Sequence, residues 1–479
     1  MKGIKTIKLN KGTGEELRQQ IKAYFEATFS IDEKLYESLA SDEVFYLRAD
    51  PLRHPLVFYL GHTAAFYINK LNIGHIIDRR VNPAFESVFA IGVDEMSWDD
   101  LNEAHYNWPS IPEVRAYRDQ VRALMHELID RLPGEAPITW NSPWWVIMMG
   151  IEHQRIHLET SSVLIRQLPI DKVKQLDFWA ICTESGEAPQ NSLIEVPGGI
   201  ICLGRDQNET LYGWDNEFGK AEYEVQPFLA SKYLCSNAEF LEFIADGGYQ
   251  TTEFWTPEGA AWKDFAGAQR PRFWIVENDS YKLRTMASII EMPWNWPVEV
   301  NYLEAKAFCN WKAERTGKAI RLPLEEEWQH LRELHLHTDQ PDWAEAPGNI
   351  NLEFEASSCP VDRHQTGDFF DLIGNVWQWT ETPIYGFPGF RIHPCYDDFS
   401  TPTFDGRHNL IKGGSWISTG NEALRQSRYA FRRHFYQHAG FRYIQSEAPI
   451  QTHDVFYETD PEVCLAADSD WAKDRKLEN

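Results

Sequence analysis

The chain has 479 residues, 43% of them hydrophobic, so it is too long for one ordinary core and too apolar for a disordered protein; two or three domains are expected. Lys+Arg 46 against Asp+Glu 72 gives a formal net charge of -26, which opposes phosphate backbones and anionic lipid and argues against nucleic-acid and membrane partners. The first residues, MKGIKTIKLNKGTGEEL, lack an apolar signal core, and no apolar run is long enough to span a bilayer, so a cytoplasmic protein is expected. The cysteines, at 182, 202, 235, 309, 359, 395 and 464, stand singly with no CxxC pair, which indicates neither a disulfide framework nor a zinc ribbon.

In chain order, Thr13 to Phe29 has helical spacing with Thr13 and Glu16 placed as a capping box. Arg53-His54-Pro55 opens LVFYLGHTAAFYINKL, a helix apolar on all sides and therefore buried. His62 sits in its middle beside Gly61, where an imidazole is costly unless hydrogen-bonded or metal-bound. A looser acidic and aromatic stretch, Glu95 to Trp108, offers His105 and Trp108 as possible pocket residues, and Ser110 to Leu132 returns to helix. Pro143 to Leu168, PWWVIMMGIEHQRIHLETSSVLIRQL, reads as a second buried helix and carries His153 and His157 four residues apart, on one face. Glu159 has turned away from that face, so a third protein ligand must come from another element; His62 is the candidate.

From these elements we expect a helical bundle over 1–172, a polar linker over 173–192, an α+β domain over 193–448 and an acidic tail over 449–479. After Leu193 the texture changes to tryptophan, glycine and short strand-like runs such as EVPGGIICLG, EFLEFIADGGYQ and NLIKGGSW. Tyr302 to Thr316 is the exception, a helix by periodicity, followed by a strand-like AIRLP and a short helix from about Glu325.

VPGG, YGWDNE, PVEVNYLEAKAFCNW, RLPLEEEWQHL, DLIGNVWQWT, IKGGSW and GFR, in that order, resemble the formylglycine-generating-enzyme (sulfatase-modifying-factor) fold, which is similar to C-type lectins. Those enzymes use a cysteine pair after the GGS motif; GGSWISTGNEALRQSRY has none, which excludes copper-thiolate chemistry of that kind. His62 with HQRIHLE resembles the metal motif of DinB-like four-helix bundles. The two together resemble the sulfoxide synthases of thiol-histidine biosynthesis. That resemblance implies one Fe(2+) on His62, His153 and His157, with open positions for a thiolate, a second substrate and O2.

Within that family, RHPLVFYLGHTAAFYINKL, SPWWVIMMGIEHQRIHLETSSVLIRQLP and SRYAFRRHFYQHAGFRY are most similar to the ovothiol-type synthases, which couple L-cysteine to L-histidine. The ergothioneine branch tends to place a glutamine before the second motif histidine, arginines before the SxxEVxxYR helix, and a Trp-Asp pair for a trimethylammonium group; here stand Ile156, then His105 and Trp108, then His434 and Phe435. The resemblance therefore implies formation of 5-histidylcysteine sulfoxide, with cysteine dioxygenation as a side reaction. Ovothiol synthases commonly continue into a methyltransferase domain. No glycine-rich nucleotide loop follows here, so a separate methyltransferase is the expected downstream partner if methylation occurs.

The resemblance also points to a tyrosine in TPIYGFPGFRIHPCYDDFS. Tyr396 is the first choice, with Tyr385 as the alternative; a phenol that donates a proton or hydrogen atom steers thiolate and O2 towards C–S bond formation. Cys395, beside it, is a further candidate for tuning the two outcomes. Among Arg425, Arg428, Arg432 and Arg433, one or two can pair with substrate carboxylates. Arg428, Arg432, Arg433, His434 and Asn375 are the substrate-contact candidates, although GNVWQW also reads as a fold determinant. The competing expectations are an ergothioneine-type or selenium-using synthase on the same scaffold, and a lectin-like binding protein with a structural metal. An intact three-histidine set argues against the last.

Overall fold

The structure, a computed structural model, describes residues 5–90, 107–206 and 208–450. Its N-terminal part is a bundle of four long helices: α1 (Gly14–Tyr36), α2 (Leu56–Ile73), then after the short α3 (Pro83–Val88), α4 (Ile111–Arg131) and α5 (Pro143–Gln167). Each start has a local cause. The Thr13 and Glu16 side chains and backbone N–H groups exchange hydrogen bonds of 2.7 and 3.2 Å at α1, and Ser110 and Glu113 form the same box at α4. At α5 the Ser142 hydroxyl accepts from the Trp144 N–H at 3.2 Å, and Pro143 fits the first turn.

A buried polar network fixes the relative height of the helices. Arg118 on α4 donates to Asp32 on α1 at 2.9 Å, and Gln154 on α5 donates to the same carboxylate oxygen at 2.9 Å. Arg118 also donates to the Leu60 carbonyl at 2.7 Å and to Thr63 at 2.8 Å, both on α2. Removing one partner of such a buried pair costs about 3–5 kcal/mol, because the other charge is stranded. The network thereby holds the middle turns of α2 and α5 opposite each other.

Two helical glycines allow close approach at this level. A Cβ on Gly61 would lie 2.4 Å from the Phe89 ring, and one on Gly150 would lie 2.3 Å from the Tyr67 ring. Phe89 is fully buried, stacked on Trp108 and packed against Phe85. Gly61→Ala is therefore expected to destabilise the protein by about 1–3 kcal/mol, read as a lowered denaturant midpoint, despite the better helix propensity of alanine. An unchanged midpoint would mean that Phe89 can shift freely.

The second part is α+β, as its motifs imply. One antiparallel sheet orders the strands Leu193–Val196, Phe228–Ser231, Ile444–Gln445 and Ile320–Arg321. A second orders Tyr429–Arg432, His408–Lys412, Trp377–Pro383 and Ala439–Gly440, with the last pair parallel. Around them lie a hairpin of Gly199–Arg205 with Gly219–Val225 and a three-stranded meander over residues 274–291. Helices α6 (Asn237–Ala245), α7 (Pro257–Ala266), α8 (Tyr302–Thr316) and α9 (Glu325–His335) complete it.

EFLEFIADGGYQ, read from sequence as strand-like, is corrected to helix: Ser236 caps α6 by accepting from the Glu239 N–H at 3.1 Å, and Phe240 and Phe243 bury one side. Nine residues before a double glycine are too few for periodicity to declare itself. Residues 180–192 have no regular structure but dock onto the second domain, where the Cys182 N–H donates to Ser357 and the Gly186 N–H to Asn295. Among the described residues, no helix is long and apolar enough to cross a membrane.

Helix α5 joins the two parts along a stripe of residues seven apart. Glu152 accepts from Tyr24 at 2.9 Å and from the Asn421 N–H at 2.8 Å. Glu159 accepts from Trp377 at 2.8 Å and from Ser415 and Ser418 at 2.7 Å each. Arg166 donates to Glu299 at 2.5 Å, and Ser162, between these levels, meets His438 at 2.8 Å. One face of α5 thus belongs to the second domain. The turned-away Glu159 is a bolt across the seam rather than a metal ligand, and burial pushes its carboxyl up.

Candidate metal centre

His62 from α2 and the His153/His157 pair from α5 bring their Nε2 atoms together. His153 Nε2 lies 3.2 Å from that of His62 and 3.2 Å from that of His157, and ligand atoms of all three fall within 4.8 Å of one another. The Phe89 carbonyl stands 2.6 Å from His62 Nδ1. A carbonyl only accepts, so that nitrogen carries the proton and Nε2 keeps a bare lone pair. Thr160 approaches His157 Nδ1 at 3.4 Å, and the His153 ring stacks on Phe66 at 3.5 Å between centroids.

Burial is the main reason that all three imidazoles resist protonation, His62 being pushed down to about 4 and the other two well below their ordinary value. Neutral imidazoles are the metal-binding form. A single proton can bridge two of the three converging nitrogens at most, whereas a cation between them satisfies all three. The donor set therefore fits a metal, with three nitrogen ligands on one side and space on the other. Imidazoles suit Fe(II), zinc and copper alike, so the ligand type alone does not choose among them.

Two cavities meet at this cluster. The outer one, about 610 Å³, lies beside α2 and α3 and is walled by Phe58, Asn69, Lys70, Glu86 and Phe89. The inner one, about 220 Å³, lies between the domains and is walled by Arg53, Ile156, Thr160, Asn216, Phe431 and Arg432. His153, His157, Tyr396 and Asp398 line both. Among the described residues, the cluster is therefore lined by cavities on two sides.

Tyr396 stands in the partition, its ring 5.0 Å from Phe66 and 6.1 Å from His153. Arg432 reaches the inner cavity, and Arg428 lines it. The Arg428 guanidinium itself is committed: it pairs with both oxygens of Glu325 at 2.9 and 3.0 Å and donates to the Asn216 and Tyr385 carbonyls at 2.7 Å. It is a structural strut whose flank forms wall.

Other sequence candidates are placed elsewhere. Arg433 is held by Asn409, Glu258 and the Gly406 carbonyl, each at 2.7 Å. His434 lines a separate groove with Asp50, Trp262 and Tyr436. Asn375, at φ +67°, bonds both the N–H and carbonyl of Cys359 and the Asp371 carboxylate, so it is corrected from substrate contact to fold determinant. Tyr385 packs with Leu203 and Phe387, its hydroxyl against that of Tyr223, outside both cavities. Arg425 pairs with Glu333. Cys395 is buried next to Tyr396, and burial pushes its thiol up to about 12. His105 lies outside the described residues; Trp108 packs on Phe58 and Phe89, close to His62.

Sequence reasoning missed Arg53, Lys70 and Asp398. Arg53 stands directly before α2, stacks on Phe435 at 4.9 Å and lines the inner cavity. Lys70 follows His62 at twice four residues, through Phe66, so helical spacing alone would have placed it on the same stripe.

With fold and centre in view, comparison with known proteins assigns the class: residues 181–447, more than half of the chain, match the sulfatase-modifying factor enzyme 1-like domain, and the chain belongs to that family. Residues 24–161 match the DinB superfamily. Among individual proteins, the chain is 29% identical over 400 residues to hercynine oxygenase of Mycolicibacterium smegmatis, covering 78% of this chain and 87% of that one. It is 23% identical over 447 residues to ergothioneine biosynthesis protein 1 of Schizosaccharomyces pombe, covering 85% of this chain and 52% of the relative. It is also similar, at 23% over 269 residues, to inactive C-alpha-formylglycine-generating enzyme 2 of Mus musculus, covering 49% of this chain and 78% of that one.

Proposed function

We propose that this protein is an O2-dependent sulfoxide synthase that holds Fe(II) on His62, His153 and His157 and joins L-cysteine to L-histidine, giving 5-histidylcysteine sulfoxide. When bound, the iron supplies sites for a thiolate and for O2 reduction. Every other part of the reaction falls to side chains. The neutral imidazoles leave the centre its positive charge, which favours the thiolate form of cysteine. The Tyr396 hydroxyl, on the partition, is the candidate donor of a proton during oxygen reduction.

The composition of the inner cavity carries the choice of histidine. Among the described residues, Arg53, Arg432 and Asp398 bring charge to its lining, and Asp398 also stands 3.7 Å from Lys70. A substrate carboxylate finds partners there. An ordinary ammonium can donate its N–H groups to neighbours such as Thr160 and Thr403, which a trimethylammonium cannot do. Ile156 lines this cavity at the position where the ergothioneine branch tends to have glutamine.

The ergothioneine-type reading is favoured by the similarity to hercynine oxygenase and to ergothioneine biosynthesis protein 1. Competition separates the two. Purified Fe(II)-loaded protein given cysteine, O2 and equal amounts of histidine and trimethylhistidine is expected to couple histidine several-fold better, as read by mass spectrometry of the products. The reverse preference would move the protein to the other branch.

A further inference from the structure

The α2 stripe that begins at His62 continues through Phe66 to Lys70, each four residues apart and therefore on one face. Phe66 stacks on His153, and Lys70 reaches past it towards the second domain. Its ammonium does not run out to water. The Lys70 side chain is only 11% exposed, its Nζ 3.8 Å from the Tyr396 ring centroid, 5.2 Å from that of Phe66 and 3.7 Å from an Asp398 oxygen. Burying an ammonium is costly, and here the compensation comes from two aromatic faces and one carboxylate.

The segment that carries Tyr396 crosses the seam between domains and is fastened to the bundle at both ends. At its start His393 meets the Trp140 carbonyl at 3.2 Å, while the His393 carbonyl and ring accept from the Tyr396 and Cys395 N–H groups. Beyond Tyr396 the fastener is Lys70. Asp398 is mostly exposed, so its half of the contact alone is weak, and the ring contact supplies the rest.

We propose that Lys70 is a positioning residue: it clamps the Tyr396 ring and Asp398 against α2 and so sets the place of the phenol beside the histidine cluster. The functional part of this inference rests on the proposed role of Tyr396; the positional part does not. A charge over the ring face also penalises any displacement of the ring, because the attraction depends on the ammonium lying above the π-cloud.

The test uses the full chain and two readouts. In metal-free protein, Lys70→Met keeps length and apolar bulk but removes the charge, and amide hydrogen exchange over residues 393–399 should accelerate about five-fold, the scale of one partly buried cation–π contact. Lys70→Arg, which keeps a cation able to stack on the ring, should restore slow exchange. Asp398→Asn, at an exposed position, gives a smaller acceleration and serves if Lys70→Met fails to fold. In iron-loaded protein, Lys70→Met should keep its iron and lower the ratio of coupled product to cysteine sulfinic acid, in the same direction as Tyr396→Phe. Unchanged exchange over 393–399 in a folded variant overturns the inference. So does an effect confined to the KM for cysteine, which would make Lys70 a substrate contact. If exchange accelerates while Tyr396→Phe leaves the product ratio untouched, the clamp stands and the role of Tyr396 falls.

Discussion

Replacing His62 by alanine is expected to give a folded protein that binds no iron and turns over no substrate. His62 is one of three converging Nε2 ligands and comes from a different helix than the other two. Without it, two ligands one helical turn apart remain, too few for a centre that must also leave positions open. His153→Ala and His157→Ala should do the same. Elemental analysis of the purified chain reads the result directly, with His126→Ala as the control, since His126 bonds Glu26 at the half-exposed edge of the bundle and should keep its iron. Full iron and activity in the His62 variant would remove this helix pair from the mechanism.

Tyr396→Phe should redirect the reaction rather than stop it. The ring would still pack between Phe66 and Lys70, so iron and both substrates should remain bound while the proton source is lost. A selective loss of about 1.4 kcal/mol shifts the ratio of coupled product to cysteine sulfinic acid roughly tenfold, which mass spectrometry resolves without loss of O2 consumption. A tyrosine with only a packing role would lower both products together. Tyr385→Phe is the control; its hydroxyl faces Tyr223 in a separate cluster, so that variant should leave the ratio alone. If it redirected the products and Tyr396→Phe did not, the wrong tyrosine has been chosen.

The helices and the histidines were legible because both depend on short-range spacing. Four residues between His153 and His157 fix a shared face, and an all-apolar surround marks His62 as a buried imidazole with a task. The arginines were not legible. Arg428, Arg432 and Arg433 lie within six residues, yet one is a strut on Glu325, one faces the inner cavity and one is tied to Glu258, a distribution decided by partners about a hundred residues or more away. Lys70 was half legible. Its place on the His62 stripe follows from periodicity, but what it touches is set by a loop more than three hundred residues later. Asn375 shows the opposite error, in which a conspicuous motif reflects a left-handed backbone and a closed hydrogen-bond set.

The stripe of Glu152, Glu159 and Arg166 has a consequence for molecular traffic. A helix bolted at three levels is a poor hinge, since parting the domains would break the buried Arg166–Glu299 ion pair, at about 3–5 kcal/mol, together with the hydrogen bonds that Glu152 and Glu159 accept. Small molecules must then come and go with the halves closed, through the gaps on either side of the histidines. Admission becomes a matter of side chains at those mouths, such as Arg80 and Asp397 at the outer one and Pro402 and Thr403 at the inner. Two doors would let two ligands reach the histidine cluster without either having to pass the other.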